Sequence, residues 1–368
     1  MMTQEKIQLP RPTGAYNVGV VTHLLKDASR YYNDKKGRPL LVRMYYPSVV
    51  MQKDYPSYLD DTMHLYKERI LNTYNNVLPE DIQYLDEIKD WAMPDASIDT
   101  EKSPFPVLFF SPGFLMAAQL YSSLIEEMAS HGYAVVSINH TDACWPVMFP
   151  DGSSPAILPE LANIFSNKER SYMQKFDTTQ ETWVKDVEFV LSWLHSQPLI
   201  KYLDLSCMGI FGHSFGGSTA TEVSRKYNNF KATANLDGML FGPNWDKPFE
   251  TPSLFVVAEK KLTHEDALKV GLTIEQVDNL LARCPKKVFD QLKDDSFYVT
   301  IKNADHAAFV DSKIIKSPLI NNEINPFRSI EVTRALLIDF FDHYLRNKRS
   351  TVLKEQNPRF PDIIIKWK

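Results

Sequence analysis

The run Gly212-His213-Ser214-Phe215-Gly216 fits the pattern G-x-S-x-G, and its surroundings give that pattern chemical meaning. It follows the apolar stretch Cys207-Met208-Gly209-Ile210-Phe211, which reads as a strand, and precedes a helix-prone run to about Tyr227. A serine at such a strand-to-helix turn occupies strained backbone that lifts its Oγ above the edge of a sheet. The flanking glycines leave room where a side chain would strike the adjoining strand and helix, and Gly217 extends that clearance. Ser214 is therefore the candidate nucleophile for attack on an ester carbonyl; a structural serine in a tight turn is the bland alternative.

A serine hydroxyl is a weak nucleophile at neutral pH and needs a base within hydrogen-bond reach, itself oriented by a carboxylate. Where this turn occurs, the chain order is serine, acid, histidine. Only His264, His306 and His343 follow Ser214. His264 falls in a helix-prone insertion and His343 beside Asp342 on the last helix, so both read as surface residues. His306 follows a strand ending at Ile301, in Lys302-Asn303-Ala304-Asp305-His306, where a loop would carry a base to the C-terminal edge of the sheet. Two acids compete for the third place: Asp237 follows a strand at 231–236 and Glu259 a strand at 253–257. Aspartate is shorter and better suited to hold an imidazole from a tight strand end, which favours Asp237 and leaves Glu259 open. Asp305 and Asp311 read as loop or capping residues.

The charge that develops on the carbonyl oxygen needs two backbone N–H donors. Phe215, next after the serine, offers one. The other belongs to the loop Ser111-Pro112-Gly113-Phe114-Leu115, where Pro112 has no N–H to give and Phe114 is the candidate. Leu115, Met239 and Phe309 adjoin this chemistry and are candidates for an apolar substrate pocket, although each could equally be core packing.

The elements that would position these residues are legible as alternation. Strands are expected at 40–47, with 17–22 beside it, and at 106–111, 134–138, 207–211, 231–236, 253–257 and 297–301, with helices over about 119–131, 182–195 and 329–344. Apolar strands separated by helices imply a mostly parallel sheet covered on both faces, the α/β class. Helix-prone stretches at about 51–103 and 259–294 interrupt the alternation and read as two insertions on one domain spanning 1–368, lying over the catalytic edge.

A net charge of −5 gives no reason to expect nucleic acid as a partner. No H-E-x-x-H or paired-cysteine motif points to a metal, and no glycine-rich phosphate loop points to a nucleotide, so no cofactor is expected. The segment 1–12 lacks the apolar run of a signal peptide, and no stretch of about 18 apolar residues occurs. A cytoplasmic setting is the expectation as written, with secretion as the alternative if a leader had been removed. No basic amphipathic helix stands out, so membrane contact is at most peripheral. Oligomeric state is left open.

Taken together, these stretches resemble the platelet-activating factor acetylhydrolase family of α/β-hydrolases, the plasma-type enzymes and their bacterial relatives. The likeness rests on Val42-Arg43-Met44-Tyr45-Tyr46-Pro47-Ser48, Phe110-Ser111-Pro112-Gly113-Phe114, Tyr121-Ser122, Ala129-Ser130-His131-Gly132-Tyr133, Phe211-Gly212-His213-Ser214-Phe215-Gly216-Gly217, Leu236-Asp237-Gly238 and His306-Ala307-Ala308-Phe309. It implies the α/β-hydrolase fold, Ser214 as nucleophile, Asp237 as acid, His306 as base, and the N–H groups of Phe114 and Phe215 as oxyanion donors. It also implies calcium-independent hydrolysis of short or oxidised acyl chains from phospholipids, or of other small esters. Two departures bear on substrate choice: Pro112 stands where the family commonly has a histidine, and Gly238 where an aromatic-containing stretch often follows the aspartate. A catalytically silent binding protein and an acyltransferase using the same three residues remain the rival readings.

Overall fold

The computed structural model describes residues 7–50, 54–157, 161, 172–260, 263–265, 273–292, 294–319, 325–355 and 358–368. Its strands are β1 (Asn17–Tyr32), β2 (Lys35–Ser48), β3 (Ala92–Pro94), β4 (Phe105–Ser111), β5 (Ala134–Asn139), β6 (Leu203–His213), β7 (Phe230–Leu236), β8 (Ser253–Ala258), β9 (Ser296–Ile301) and β10 (Ile363–Trp367). They form one sheet in the order β10-β9-β8-β7-β6-β4-β5-β2-β1-β3. Strands β4 through β9 run parallel to their neighbours among themselves, while β1, β2 and β10 supply antiparallel pairings at the two flanks. All the C-terminal ends of β4–β9 therefore open on one edge. This is the mostly parallel α/β arrangement that the alternation of apolar strands and helices implies.

Side-chain alternation sets the two layers. Leu108 and Phe110 of β4 face a core shared with Leu124, Ile125 and Met128 of α2 (Ser122–Ser130), whereas Val107 and Phe109 face the opposite one. Their partners there are Val187, Val190 and Leu194 of α3 (Tyr172–Leu194) and Ala220 and Val223 of α4 (Phe215–Lys226). Helix α3 reaches back to Tyr172, ten residues before the 182–195 expected from sequence, because Phe176, Thr179 and Gln180 continue the buried stripe upstream.

The stretch 54–98 holds α1 (Met63–Thr73) and a 3₁₀ helix, Pro79–Glu87, but it ends in β3, which pairs parallel with β1. Tyr66, Ile70, Tyr74 and Val77 stand at helical spacing in the sequence, but the helix ends at Thr73, where Tyr74 turns extended ahead of Asn75 and Asn76. Within the second stretch, 261–262, 266–272 and 293 lie outside the described residues; α5 (Ile274–Ala282) and α6 (Lys286–Phe289) are described. After β9 come α7 (Asp311–Ile315) and α8 (Pro326–Arg346). The chain does not close on α8: Asn347, at φ 56°, turns it back, and Ile363-Ile364-Ile365 runs along β9 as β10.

Candidate active site

At the end of β6 the backbone of Ser214 takes φ 54° and ψ −122°, a conformation that an L-residue holds only under constraint, and α4 starts at the next residue. Two contacts supply the constraint: Ser214 N–H donates to Leu236 O at 2.8 Å, and Ser214 O accepts from Ser218 N–H at 3.1 Å. The turn is tight enough that a Cβ on Gly212 would overlap Gly216 O and one on Gly216 would overlap Ser111 O.

His306 Nε2 lies 2.9 Å from Ser214 Oγ, and His306 Nδ1 lies 2.8 Å from Asp237 Oδ2. Because a carboxylate only accepts, Nδ1 carries the proton toward Asp237 and Nε2 presents a lone pair to the serine hydroxyl. Asp237 follows β7 with φ 53°; its N–H donates to Val256 O, and its Oδ1 accepts from Ala258 N–H at 3.0 Å. Glu259 turns elsewhere and accepts from Asn303 N–H at 2.7 Å. His306 opens a short 3₁₀ turn, His306–Phe309, capped by Asp305, whose Oδ1 accepts from Ala307 N–H. The imidazole is 56% exposed, so a substrate can reach it from solvent, while Asp237 is 11% exposed.

The loop after β4 flanks Ser214 on the other side. Gly113 N–H donates to Tyr121 Oη at 3.0 Å and Leu115 N–H to Ala143 O at 2.8 Å. Phe114 N–H, between them, meets no protein acceptor among the described residues, and Phe215 N–H, in the first turn of α4, has no intrahelical partner. The Phe114 and Phe215 rings meet edge to face at 5.7 Å between centroids, which brings the two backbone segments together.

Phe176, Phe215 and Phe241 form an aromatic wall with centroid separations of 5.8, 5.3 and 4.9 Å, joined by half-buried Met239. Leu115 is half-buried at φ 60°. Phe309 is fully buried in the core beneath α8, its ring 5.5 Å from that of His213. Of the three pocket candidates it is the one turned into the core.

Two buried groups beside the site escape a reading by motif. Tyr121 Oη is 2.8 Å from His213 Nδ1, and His213 Nε2 is 2.9 Å from the backbone oxygen of His306. Burial, and then His306 beside it, holds the His213 imidazole well below its ordinary range, so it is neutral. Further in, Ser111 Oγ is 2.9 Å from His140 Nε2, and His140 Nδ1 is 2.8 Å from Asp186 Oδ2. Arg38 grips Asp186 with Nε and Nη2, each at 2.8 Å, and Trp183 stacks on the His140 ring at 3.9 Å. Although burial opposes it, Arg38 and the bonds from Arg38 and His140 hold the Asp186 carboxyl well below the usual range. Among the described residues, no group of three or more His, Cys, Asp or Glu side chains is arranged to hold a metal ion, and no helix is long and apolar enough to cross a membrane.

Comparison with known proteins agrees with this architecture. Residues 1–192 and 173–357 match the family described as platelet-activating factor acetylhydrolase, isoform II. A platelet-activating factor acetylhydrolase from Cavia porcellus is 23% identical over 373 positions, covering 92% of this chain and 78% of its own length. A protein named as a probable 1-alkyl-2-acetylglycerophosphocholine esterase from Arthroderma benhamiae is 27% identical over 389 positions, covering 97% of this chain and 93% of its own. Among solved structures, a ferulic acid esterase from Streptomyces cinnamoneus superposes with a TM-score of 0.76 at 24% identity over 98% of this chain and 99% of that one, a likeness of fold. The chain belongs to the platelet-activating factor acetylhydrolase family and is an ester hydrolase of the α/β-hydrolase fold.

Proposed function

We propose that this enzyme is a serine carboxylester hydrolase that cleaves short-acyl esters, the sn-2 acyl group of a phospholipid or a related small ester, through an acyl-enzyme on Ser214. One observation carries the reading: the unbroken hydrogen-bonded chain from Ser214 Oγ through both nitrogens of His306 to Asp237 Oδ2, at 2.9 and 2.8 Å.

In this mechanism Ser214 Oγ attacks the ester carbonyl carbon while its proton passes to His306 Nε2. Asp237 holds the ring in the required tautomer and stabilises the imidazolium that forms. The carbonyl oxygen, now negative, accepts from the N–H groups of Phe114 and Phe215, each worth about 3 kcal/mol in enzymes of this type. The intermediate collapses, the C–O bond to the alcohol breaks, and the imidazolium gives its proton to the departing oxygen. Water then enters, loses a proton to His306 and attacks the acyl carbon. Collapse of the second intermediate returns that proton to Ser214 Oγ and releases the carboxylic acid. These steps need no cofactor.

The short-acyl preference rests on the names borne by relatives across most of the chain and on the aromatic wall beside Ser214. On that side Phe176, Phe215 and Phe241 pack against one another next to the nucleophile. We read the whole chain as one catalytic domain, since every element of the site comes from the one sheet.

A panel of p-nitrophenyl esters from acetate to palmitate tests the proposal, run on the wild type and on Ser214→Ala. Turnover that declines with chain length and disappears in the variant is the expected result. Equal cleavage of all lengths would refute the short-acyl reading, and undiminished turnover by Ser214→Ala would refute the nucleophile.

A further inference from the structure

The geometry points to Tyr121 and His213 as positioning residues that tie the oxyanion loop to the catalytic histidine, so that electrophilic assistance and general base are set by one buried relay. The inference rests on the proposed roles of Ser214, His306 and Phe114.

Donor and acceptor logic fixes the direction of every bond. The backbone oxygen of His306 can only accept, so His213 Nε2, at 2.9 Å, carries a proton. A neutral imidazole then has a bare Nδ1, which must accept from Tyr121 O–H at 2.8 Å. Having given its single proton, the Tyr121 oxygen accepts from Gly113 N–H at 3.0 Å. Met116 Sδ, 3.2 Å from the same hydroxyl, is a competing acceptor but a weak one. The order Gly113 N–H to Tyr121 O–H to His213, and His213 N–H to His306 C=O, satisfies each group in turn.

Both side chains are sealed: Tyr121 is fully buried, its ring 5.0 Å from Phe110, and His213 is 1% exposed, its ring 4.6 Å from that of His306. In so dry a setting, loss of either partner strands a buried polar group, which gives the relay one arrangement instead of several. One end consumes Gly113 N–H and thereby aims Phe114 N–H at the substrate; the other pins the backbone of the residue whose ring faces Ser214. Gly113 belongs to the design, since a Cβ there would lie 2.9 Å from Tyr121 Oη and 3.2 Å from His213 Nδ1.

The test is a double-variant cycle on p-nitrophenyl acetate, with Tyr121→Phe, His213→Gln, the double variant, and Ser214→Ala and His213→Leu alongside. A relay predicts that Tyr121→Phe lowers kcat by about 10- to 100-fold, the cost of misplacing catalytic groups, with KM within about threefold. It predicts further that the double variant loses no more than the worse single variant. Gln at 213 keeps a donor near Nε2, so His213→Gln should retain more kcat than His213→Leu. It also reads the relay from its other end if Tyr121→Phe is recovered poorly. Wild-type kcat in Tyr121→Phe, or losses that multiply in the double variant, would overturn the relay alone when Ser214→Ala is inactive. Full turnover by Ser214→Ala would overturn the catalytic reading and the relay with it.

Discussion

Ser214, His306 and Asp237 on one hand, and Ser111, His140 and Asp186 on the other, are joined by serine–histidine distances of 2.9 Å and histidine–aspartate distances of 2.8 Å in both cases. The two arrays are close neighbours, since Ser111 pairs with Gly212 across β4 and β6, two residues from Ser214. Their surroundings differ in three respects. His306 is 56% exposed, whereas His140 is fully buried under the face of Trp183. Ser214 stands in a positive-φ turn, whereas Ser111 ends a regular strand. Asp186 is gripped from two sides by Arg38, which spends the carboxylate's charge on a cation before it can serve an imidazolium. Hydrogen-bond lengths among the right residue types therefore do not distinguish a catalytic array from a scaffold. Access and the placement of the hydroxyl do, and the tie between Asp186 and Arg38 marks the buried array.

If this contrast is right, removing the two serines separates activity most sharply. Ser214→Ala should lose about 10⁴-fold or more in kcat, measured on p-nitrophenyl acetate, while Ser111→Ala keeps most of its turnover and loses stability. The aspartates should divide in the same sense. Asp237→Asn is expected to reduce kcat by about 10³- to 10⁴-fold with little change in urea midpoint, and Glu259→Gln to stay close to wild type. Conversely, Asp186→Ala leaves Arg38 buried with less compensation and should cost about 3–5 kcal/mol in urea denaturation.

The smallest expected effect is in pH dependence. Burial, partly offset by Asp186, lowers the His140 imidazole from its ordinary 6.5. As pH falls, the unfolded chain takes up this proton before the folded one, so the stability associated with neutral His140 is present above about pH 6.5 and is lost below it. The gap in stability between the wild type and His140→Gln should thus narrow on going from pH 7.5 to 5.5, by at most about 1.4 kcal/mol per pH unit. A gap that widens on acidification would contradict a neutral, sealed histidine.

The sequence exposes the two arrays unequally, and the reason is physical. Ser214 is legible because the elbow compresses its requirements into five consecutive residues with a strand before and a helix after. His306 emerges by elimination among three histidines, and Phe114 because Pro112 lacks an N–H. Local pattern favours Asp237 over Glu259 without deciding between them, since both follow parallel strands; the difference lies in the turn at Asp237, which directs its carboxylate to His306 while Glu259 accepts from Asn303 N–H. The buried array unites residues separated by 29, 46 and 148 positions through tertiary contacts that leave no motif. Pocket residues are equally opaque: Met239 and Phe309 have the same apolar character, yet one adjoins the aromatic wall and the other fills the core. In the fold, the β-branched run that becomes β10 lies beyond the last helix and depends on the reversal at Asn347 to reach β9.

The most direct test is to treat the folded protein with a fluorophosphonate probe and map the adduct by peptide mass. Stoichiometric modification of Ser214, with Ser111 untouched, is what the account predicts. A protein that turns over esters yet carries its adduct on a different serine, or carries none, would contradict it.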